Sequence, residues 1–460
     1  MIVLNNVSIS IQDTVIFHQL NIQFESGTSY LLSGKNGVGK TTLLNMIAGI
    51  IQPKSGLVRY DFIDSTCNWD QRHELRKKNL HYVPTHALHE LLQGPDVYYQ
   101  QRYYTIEASP LPTVKDFFGE RYSKLNEFDF PDSFNIHHLL HLELPRLSNG
   151  QFKKIIILKQ LLDNLPRVLL LDYPFEGLDL ISRMELKEFL DHLASHYHIQ
   201  LIIADHDHAQ LPKAITKKIE LSISSRVLSA YTASELTNSI TILHSAFAPV
   251  KETEPVVEMR DLKIQYGKTV ILKNLNWKIN RGERWALTGR NGSGKTTLFS
   301  LIYADHPMAY SEQVYLFGKR RGTGESIWDI KKRINYLGPE QLHFLNHTTA
   351  LLTVNEYLNS RNEAVPDVNA VVDFFQIQKL LPKRLRQLSN GELQLVLLVS
   401  LFLDQKELLL LDEPFQFLDP VQKVRVNEYL TSHLYDGTTL ILITHNEDDV
   451  EHWTKHRLKL

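Results

Sequence analysis

Short, continuous apolar runs that end at an acidic residue stand out along this chain. The word LLLD closes such a run at residues 169–172 and again at 409–412. An uninterrupted apolar run of this length is typical of a strand buried on both faces, in a parallel sheet covered by helices. Earlier in each half, apolar residues 30–32 and 285–287 lead into a glycine-rich turn and then an amphipathic helical pattern. The pattern therefore predicts an α/β fold with a mostly parallel core sheet.

Four blocks of sequence occur twice, in the same order. LLSGKNGVGKTTLLNMIAG starts at residue 31 and ALTGRNGSGKTTLFSLIYA at residue 286, an offset of 255. A Thr-Val pair, the word LSNG and the LLLD runs then recur at offsets of 240 or 241. The repeat predicts two tandem domains of one fold. The fall in offset places about fifteen extra residues of the first copy between its first two blocks.

The repeat also predicts the domain boundaries. We expect a first domain over residues 1–225, a short helix and linker over 226–255, and a second domain over 256–460. In each domain the stretch between the second block and the LLLD strand, residues 113–163 and 353–404, has a helical pattern. Each domain should thus combine a core sheet with a helical subdomain.

The amino-acid composition limits which binding partners and which cellular compartment are expected. The 50 basic and 52 acidic residues are balanced, so no nucleic-acid partner is expected. The single cysteine, Cys67, excludes an internal disulfide and a cysteine-rich zinc site, which fits a reducing compartment. The longest apolar runs are too short to cross a bilayer, and no leader pattern is present. We therefore expect a cytoplasmic protein without a membrane segment.

Both repeats contain the phosphate-binding pattern G-x-x-x-x-G-K-[ST]. Its glycines let backbone N–H groups converge on phosphate oxygens, its lysine reaches the β and γ phosphates, and its threonine hydroxyl binds Mg²⁺. ATP with Mg²⁺ is therefore the expected ligand. The predicted binding residues are Gly34, Asn36, Gly37, Gly39, Lys40, Thr41 and Thr42 in the first copy and Gly289, Asn291, Gly292, Gly294, Lys295, Thr296 and Thr297 in the second.

The residues that end the LLLD strands differ between the copies in one respect. Asp172 and Asp412 are both placed to hold the magnesium ion, as such aspartates do in P-loop enzymes. Glu413 follows Asp412 and could orient or deprotonate a water molecule, which typically contributes about 10² to 10⁴ in rate. The first copy instead has Tyr173, and an unperturbed phenol, with a pKa of about 10, is neutral at pH 7. Only the second copy carries the acid.

Taken together, the P-loops, the LSNG[QE] words, the D-[YE]-P strand ends and two late histidines resemble the tandem nucleotide-binding domains of ATP-binding cassette (ABC) proteins. The resemblance implies that the domains pair head to tail, with each ATP between one P-loop and the LSNG word of the other domain. Ser389 and Gly391 would then cap the ATP of the first P-loop. Ser148 and Gly150 would cap the ATP of the second.

The same resemblance implies further roles. His206 and His445 match the histidine that senses the γ phosphate. Tyr266 occupies the place where such domains stack an aromatic ring on adenine, whereas the offset of 255 leads to Ile11 in the first copy. An aliphatic side chain covers a base less strongly than an aromatic face does.

The glutamine that usually touches the metal has two possible positions in the first copy. An offset of 240 pairs Gln100 and Gln101 with residues 340–341, and we favour Gln100 and Gln341. A rival alignment puts Thr85 at that place.

Tyr173 and Ile11, the two residues that depart from the family pattern, both lie in the first copy. We predict that the site built on Lys40 binds ATP and hydrolyses it slowly or not at all. The site built on Lys295 has every part, and its catalytic residues are expected to be Glu413, His445 and Lys295 itself.

Two further groups of residues could suggest a binding site, but both are expected to lie on solvated surface. His137, His138 and His141 have helical spacing but no adjacent acidic or cysteine ligands for a metal. Two basic runs, at 319–321 and 331–333, are expected to be exposed helix or loop faces.

In the second copy, DHPMAYSEQVYLFGKRRGTGESIWDIKKRINYLGPEQLH resembles the ModF-like, photorepair-protein branch, whose names refer to molybdenum transport and light repair. Three functions fit this branch. The first is an ATPase that docks on a separate membrane permease, at the inner face of the membrane. The second is an ATPase acting on a ribosome, DNA or a regulatory complex, and the third is a nucleotide-gated binding switch, which Glu413 disfavours.

Overall fold

A computed structural model gives the fold. The residues it describes are 1–11, 14–64, 66–85, 112–131, 134, 136–144, 147, 149–206, 211–222, 255–266, 269–290, 292–338, 347–361, 368–432, 434, 437–444 and 454–460. The chain divides into two compact units, unit 1 (Met1–Val227) and unit 2 (Leu228–Leu460). The predicted linker lies outside the described residues except for Pro255, which opens a strand of unit 2.

The described residues of unit 1 form two sheets. The strands in chain order are β1 (Ile2–Ile11), β2 (Thr14–Phe24), β3 (Ser29–Ser33), β4 (Ser55–Tyr60), β5 (Leu80–Val83), β6 (Val168–Asp172), β7 (Gln200–Ala204) and β8 (Ile215–Glu220). One sheet is antiparallel, in the order β2-β1-β4. The other is parallel throughout, in the order β5-β6-β7-β3-β8.

Helices of unit 1 connect these strands. The α-helices are α1 (Lys40–Ala48), α2 (Trp69–Asn79), α3 (Val114–Phe118), α4 (Asn149–Asp163) and α5 (Leu180–His196). The region predicted to be helical, 113–163, begins with the short α3 and continues as 3₁₀ turns at Gly119–Glu127 and His137–Leu139 before α4. Gly119 ends α3 because it adopts a φ of 60°, which glycine tolerates.

Unit 2 repeats this architecture. Its strands are β9 (Pro255–Tyr266), β10 (Thr269–Asn280), β11 (Arg284–Thr288), β12 (Gln313–Leu316), β13 (Lys319–Arg320), β14 (Ile334–Leu337), β15 (Leu408–Asp412), β16 (Thr439–Ile443) and β17 (His456–Lys459). The antiparallel order is β10-β9-β12-β13, and the parallel order is β14-β15-β16-β11-β17. The mostly parallel α/β fold predicted from the leucine runs is confirmed.

The helices of unit 2 follow the same plan. They are α6 (Lys295–Ile302), α7 (Ile327–Lys331), α8 (His347–Leu351), α9 (Val354–Arg361), α10 (Val368–Phe375), α11 (Asn390–Leu403) and α12 (Pro420–Ser432). Short 3₁₀ turns at Pro307–Tyr310, Gln378–Leu380 and Leu385–Gln387 join them. In the described part of the chain, no helix combines the length and apolar character that crossing a membrane requires.

The leucine runs are buried on both faces, as their pattern predicts. In β6, Leu169 and Leu171 pack in a cluster with residues of α4 and α5. Val168 and Leu170 point to the opposite face and pack with residues of β1 and α1. Since successive side chains of a strand alternate between faces, the sheet must be covered on both sides. Burial of each such leucine contributes about 1.5–3 kcal/mol.

One basic run departs from the expected solvated surface. Arg321 is buried, its Nη1 lies 2.9 Å from the Glu325 carboxylate, and its Nη2 donates to the Tyr310 hydroxyl at 3.3 Å. A buried guanidinium requires such partners, because desolvating an unpaired charge is costly. The expectation of an exposed cation was therefore wrong at Arg321.

The histidine cluster agrees with its expected exposure. The side chains of His137, His138 and His141 are all exposed. The first two lie in a 3₁₀ turn rather than an α-helix, so their geometry differs from the helical spacing read from the sequence.

Truncation of one leucine tests the buried strand. Leu410 is 0% exposed, so we expect Leu410→Ala to lower the free energy of unfolding of unit 2 by about 2–5 kcal/mol. Val421→Ala is the control, because Val421 is 47% exposed and its loss should change stability by about 0.5 kcal/mol or less. Urea unfolding followed through Trp277 and Trp285 fluorescence measures both, and equal losses would contradict the assignment.

Candidate functional site

The two P-loops join a parallel strand to a helix in each unit. Gly39 caps α1 and Gly294 caps α6, with φ values of 102° and 97° that favour glycine. A Cβ on Gly39 would lie 2.7 Å from side-chain atoms of Ile16 and Phe17. The last glycine of the motif is thus required by both conformation and space.

The P-loop lysines point back into their own loops. Lys295 Nζ donates to the carbonyl oxygens of Gly289 at 2.8 Å and Arg290 at 2.9 Å. Lys40 Nζ donates in the same way to the carbonyl of Lys35 at 3.1 Å and to that of Gly34. Both side chains are buried, so each ammonium lies within the cradle that the loop's backbone encloses.

Each P-loop threonine lies beside the aspartate predicted to hold the metal. The Thr41 hydroxyl donates to the Asp172 carboxylate at 3.0 Å, and the Thr296 hydroxyl donates to Asp412 at 3.2 Å. The fold brings these pairs together because parallel strands present their carboxyl ends at one edge of the sheet. A hydroxyl next to a carboxylate is a hard oxygen donor set, which fits Mg²⁺.

Burial dominates the electrostatics of Asp172. It raises the pKa of this carboxyl to about 6, while hydrogen bonds from Thr85 and Thr41 act in the opposite direction. The positive charges of Lys40 and Lys153 also lower the pKa. A divalent cation would favour the ionised form further, since an opposite charge stabilises a carboxylate.

Thr85 lies on the same aspartate. It follows β5, the neighbour of β6, and its hydroxyl is 2.8 Å from Asp172 Oδ2 and 3.1 Å from the Asp172 carbonyl. Gln100 and Gln341 lie outside the described residues. Their assignment stays a prediction, and Thr85 is the candidate whose contact with Asp172, the aspartate predicted to hold the metal, is described.

Tyr173 and Glu413 occupy equivalent backbone positions. Their φ values are 48° and 51°. Each N–H donates at 2.9 Å to the carbonyl that ends the adjacent strand, that of Ala204 or Ile443. The two units therefore hold the residue after the aspartate in one left-handed conformation and differ there only in the side chain.

The Tyr173 ring lies between two other predicted site residues. It is 5.0 Å from the His206 ring, and Lys40 Nζ lies 5.6 Å from its centre. The ring is buried. A buried aromatic side chain thus lies beside both the P-loop lysine and the predicted switch histidine of unit 1.

The structure does not describe every predicted residue. In unit 2, His445 and Asn291 lie outside the described residues. For Tyr266 and Ile11 the backbone alone is described. Their predicted roles remain predictions.

The LSNG words mark the beginnings of long helices. Ser389 caps α11: its hydroxyl accepts from the Glu392 N–H at 3.3 Å, and the Glu392 carboxylate accepts from the Ser389 N–H at 2.8 Å. Gly391 is buried in the first turn. In unit 1, Ser148 lies outside the described residues, and Gly150 is buried where a Cβ would come within 2.7 Å of the Ser182 hydroxyl.

A comparison with known families decides the identity of this architecture. The sequence profile described as "ABC transporter" matches residues 17–176 and 272–416, which together exceed half of the chain. The chain belongs to the ABC transporter family. It is a tandem ABC ATPase, because one match falls in each unit.

Relatives of similar length support this. The tandem ABC chain is 29% identical to the ABC transporter ATP-binding protein ModF of Escherichia coli, over 98% of this chain and 94% of that protein. It is 28% identical to an uncharacterized ABC transporter ATP-binding protein of Schizosaccharomyces pombe, over 95% of this chain and 92% of that protein. The resemblance to the ModF-like branch is thereby confirmed.

A solved structure shares the fold. It is the crystal structure of the complex of archaeal ribosomal stalk protein aP1 and archaeal ribosome recycling factor aABCE1, and the match covers 99% of this chain and 87% of that chain. The TM-score is 0.55 at 18% identity. Members of the ABC family bind ATP, generally with Mg²⁺, and hydrolyse it.

One residue that contacts the unit 1 site was not predicted from the sequence. Lys153, on α4, donates from Nζ to the carbonyls of Tyr173 at 3.0 Å, Pro174 at 3.0 Å and Glu176 at 2.7 Å. Burial lowers the pKa of this lysine to about 8, and the negative charges of Glu176 and Asp205 oppose the shift.

The second unit uses a neutral residue for the same purpose. The LSNG offset of 241 pairs Lys153 with Gln394, whose Nε2 donates to the Pro414 carbonyl at 2.9 Å. In both units, a side chain from the helix that begins at the LSNG word therefore anchors the loop after the aspartate that is predicted to hold the metal. The lysine in unit 1 could have been noticed as the difference between QFKK and ELQL in the aligned blocks.

Removal of the Lys153 anchor should destabilise unit 1. We expect Lys153→Met to cost about 3 kcal/mol, because three carbonyls lose a charged donor, and Lys153→Gln to cost less. Lys217→Met is the control, since this exposed lysine makes a surface ion pair worth about 0–1 kcal/mol. Hydrogen exchange of the β6 and β7 amides reports unit 1. Wild-type protection in Lys153→Met would contradict the anchoring role.

Proposed function

We propose that this chain hydrolyses ATP at the site built on the P-loop of unit 2, and that the site built on the P-loop of unit 1 binds ATP with little or no hydrolysis. The observation that carries this proposal is the exchange of one side chain on one backbone. Glu413 and Tyr173 share their φ region and their main-chain hydrogen bond, so a carboxylate in one unit is replaced by a phenol in the other.

In unit 2, Lys295 would bind the β and γ phosphates through its ammonium. Glu413 would orient the attacking water and accept its proton. His445 would contact the γ phosphate, and Tyr266 would stack on adenine. We assign Mg²⁺ to Thr296 and Asp412, where it would neutralise phosphate charge when bound.

In unit 1, Lys40, Thr41 and Asp172 would bind ATP and Mg²⁺ in the same manner. An unperturbed phenol is neutral at pH 7, so a tyrosine is a poor general base for the attacking water. The Tyr173 ring also lies beside both Lys40 and His206. Retained ATP in this site is the expected result.

The family resemblance supports head-to-tail pairing of the two domains as part of this proposal. Ser389 and Gly391 would cap the nucleotide held by Lys40, and Ser148 and Gly150 would cap the one held by Lys295. A serine at the start of a helix suits this role, because helix N-termini favour anions.

Two substitutions at the equivalent position test the division of labour. Glu413→Gln should lower kcat for ATP hydrolysis by about 10² to 10⁴, since the general base is lost while shape is kept. Tyr173→Glu should retain at least wild-type turnover, because the site on Lys295 is untouched. Steady-state phosphate release and equilibrium ATP binding are measured for both. Substantial turnover in Glu413→Gln would refute the proposal.

We further propose that hydrolysis drives conformational work on a partner protein, and that this partner is a membrane permease contacted from the cytoplasm. Support comes from the relatives, which are named as ABC transporter ATP-binding proteins. The structural likeness to a ribosome recycling factor extends only to the fold.

Purification from the native cell tests the partner. Glu413→Gln should retain bound ATP and so trap the complex, and an integral membrane protein should then co-purify in the presence of ATP. A matched preparation of Lys40→Ala/Lys295→Ala, which should not bind ATP, is the control. Recovery of ribosomal or nucleoprotein material instead would replace the permease with the alternative ATPase function.

A further inference from the structure

A cluster of three potential metal ligands lies in unit 1, away from the P-loop. His192 and His196 are one turn apart at the end of α5, with their rings stacked at 5.0 Å and 11°. Residues four apart share one face of a helix. Asp129 lies against both histidines, and the ligand atoms of the three residues are all within 4.8 Å of one another.

The distances are close to those of a metal centre. The Asp129 Oδ2 atom lies 3.9 Å from Nε2 of each histidine. Tetrahedral Zn²⁺, with bonds of about 2.1 Å, places its ligand atoms roughly 3.4 Å apart. Each contact between Asp129 and a histidine would need to shorten by about half an ångström to reach that spacing. Ligand atoms that lie as far apart as the 4.8 Å limit of the cluster would need to approach by about 1.4 Å. The Asp129 side chain is 69% exposed, so it has room for this adjustment.

Tyr197 holds the ligands in place without a metal. Its hydroxyl accepts a hydrogen bond from the Asp129 N–H at 2.8 Å, and its ring packs edge-on against His192 and His196. The Asp129 carbonyl accepts from His192 Nε2 at 2.8 Å and from the Tyr197 hydroxyl at 3.3 Å. A metal on His192 would replace the first of these bonds, and the carbonyl would keep the second.

We propose that His192, His196 and Asp129 bind a divalent transition-metal ion such as Zn²⁺. Imidazole nitrogens suit zinc, copper and nickel, whereas Mg²⁺ prefers oxygen ligands, so the ion differs from the one at the nucleotide site. The position at the C-terminal turn of α5 also favours a cation, because the helix dipole is negative there.

The second unit indicates that the fold does not require this pair. Asp179 and Asp419 stand at equivalent helix starts, each accepting from the N–H three residues later. The same offset of 240 places Ser432 at the position of His192. The histidine pair is therefore additional to the structure shared by the two ABC units.

A bound ion would join α5 to the segment that follows the 3₁₀ turn at Gly119–Glu127. Asp129 lies two residues beyond that turn. The ion would thus add a cross-link inside the helical part of unit 1, and unit 1 should become more stable in its presence.

Titration of the full chain with ZnCl₂ tests the site. Calorimetry on wild type should show one Zn²⁺ whose affinity falls by about tenfold or more in His192→Ala and His196→Ala. His137→Ala and His138→Ala are matched controls, because these exposed histidines lie in the same unit outside the cluster. Co²⁺ in place of Zn²⁺ should give the visible absorption of a tetrahedral ion.

A conservative variant separates binding from folding. Asp129→Asn keeps the backbone contacts to Tyr197 and removes only the carboxylate, so it should fold normally and bind Zn²⁺ more weakly. Hydrogen exchange of α5 amides should slow with Zn²⁺ in wild type and not in His196→Ala. The proposal is overturned if wild type fails to bind one equivalent, or if the His192 and His196 variants titrate like wild type.

Discussion

The parallel pairing of the central strands is the constraint on which the nucleotide site depends. Asp172 pairs in register with Ala204, and Asp412 pairs with Ile443, so the carboxyl end of each LLLD strand lies level with the strand beside it. A slip of one residue would move each aspartate out of line with the strand beside it, so the position of the carboxylate depends on this register. The pairing of these buried strands therefore also aligns the carboxylates that are predicted to hold the metal.

The strain at the strand ends is common to both units. Left-handed backbone in a residue other than glycine costs on the order of 1–3 kcal/mol. Tyr173 and Glu413 both adopt it, with φ near 50°. In unit 1 this turn places the Tyr173 ring 5.6 Å from the Nζ atom of the P-loop lysine, Lys40. The proposed division of labour between the two sites would thus need a change of side chain and no rearrangement of the main chain.

The sequence was sufficient where a pattern is local and insufficient where a contact spans the chain. Continuous leucines and repeated P-loops predict the sheets, because burial and phosphate binding leave short-range signatures. Thr85 was hard to assign because an insertion follows it. The buried state of Arg321, the anchoring by Lys153 and the approach of His192 to Asp129 depend on partners that no spacing rule connects.

The positive charge of Lys153 has a consequence for how long a nucleotide would stay bound at the unit 1 site. Its ammonium acts on the acidic side chains of Asp172 and Asp205, whereas Gln394 brings no charge to the corresponding loop. Below a pH of about 8, Lys153 thus brings a positive charge to the loop after Asp172 that Gln394 does not bring to the loop after Asp412. Coulomb attraction for a polyanion is strongest in such a partly desolvated setting. Slow release of ATP from the unit 1 site and slow hydrolysis there would then both depend on residues that meet at the loop after Asp172.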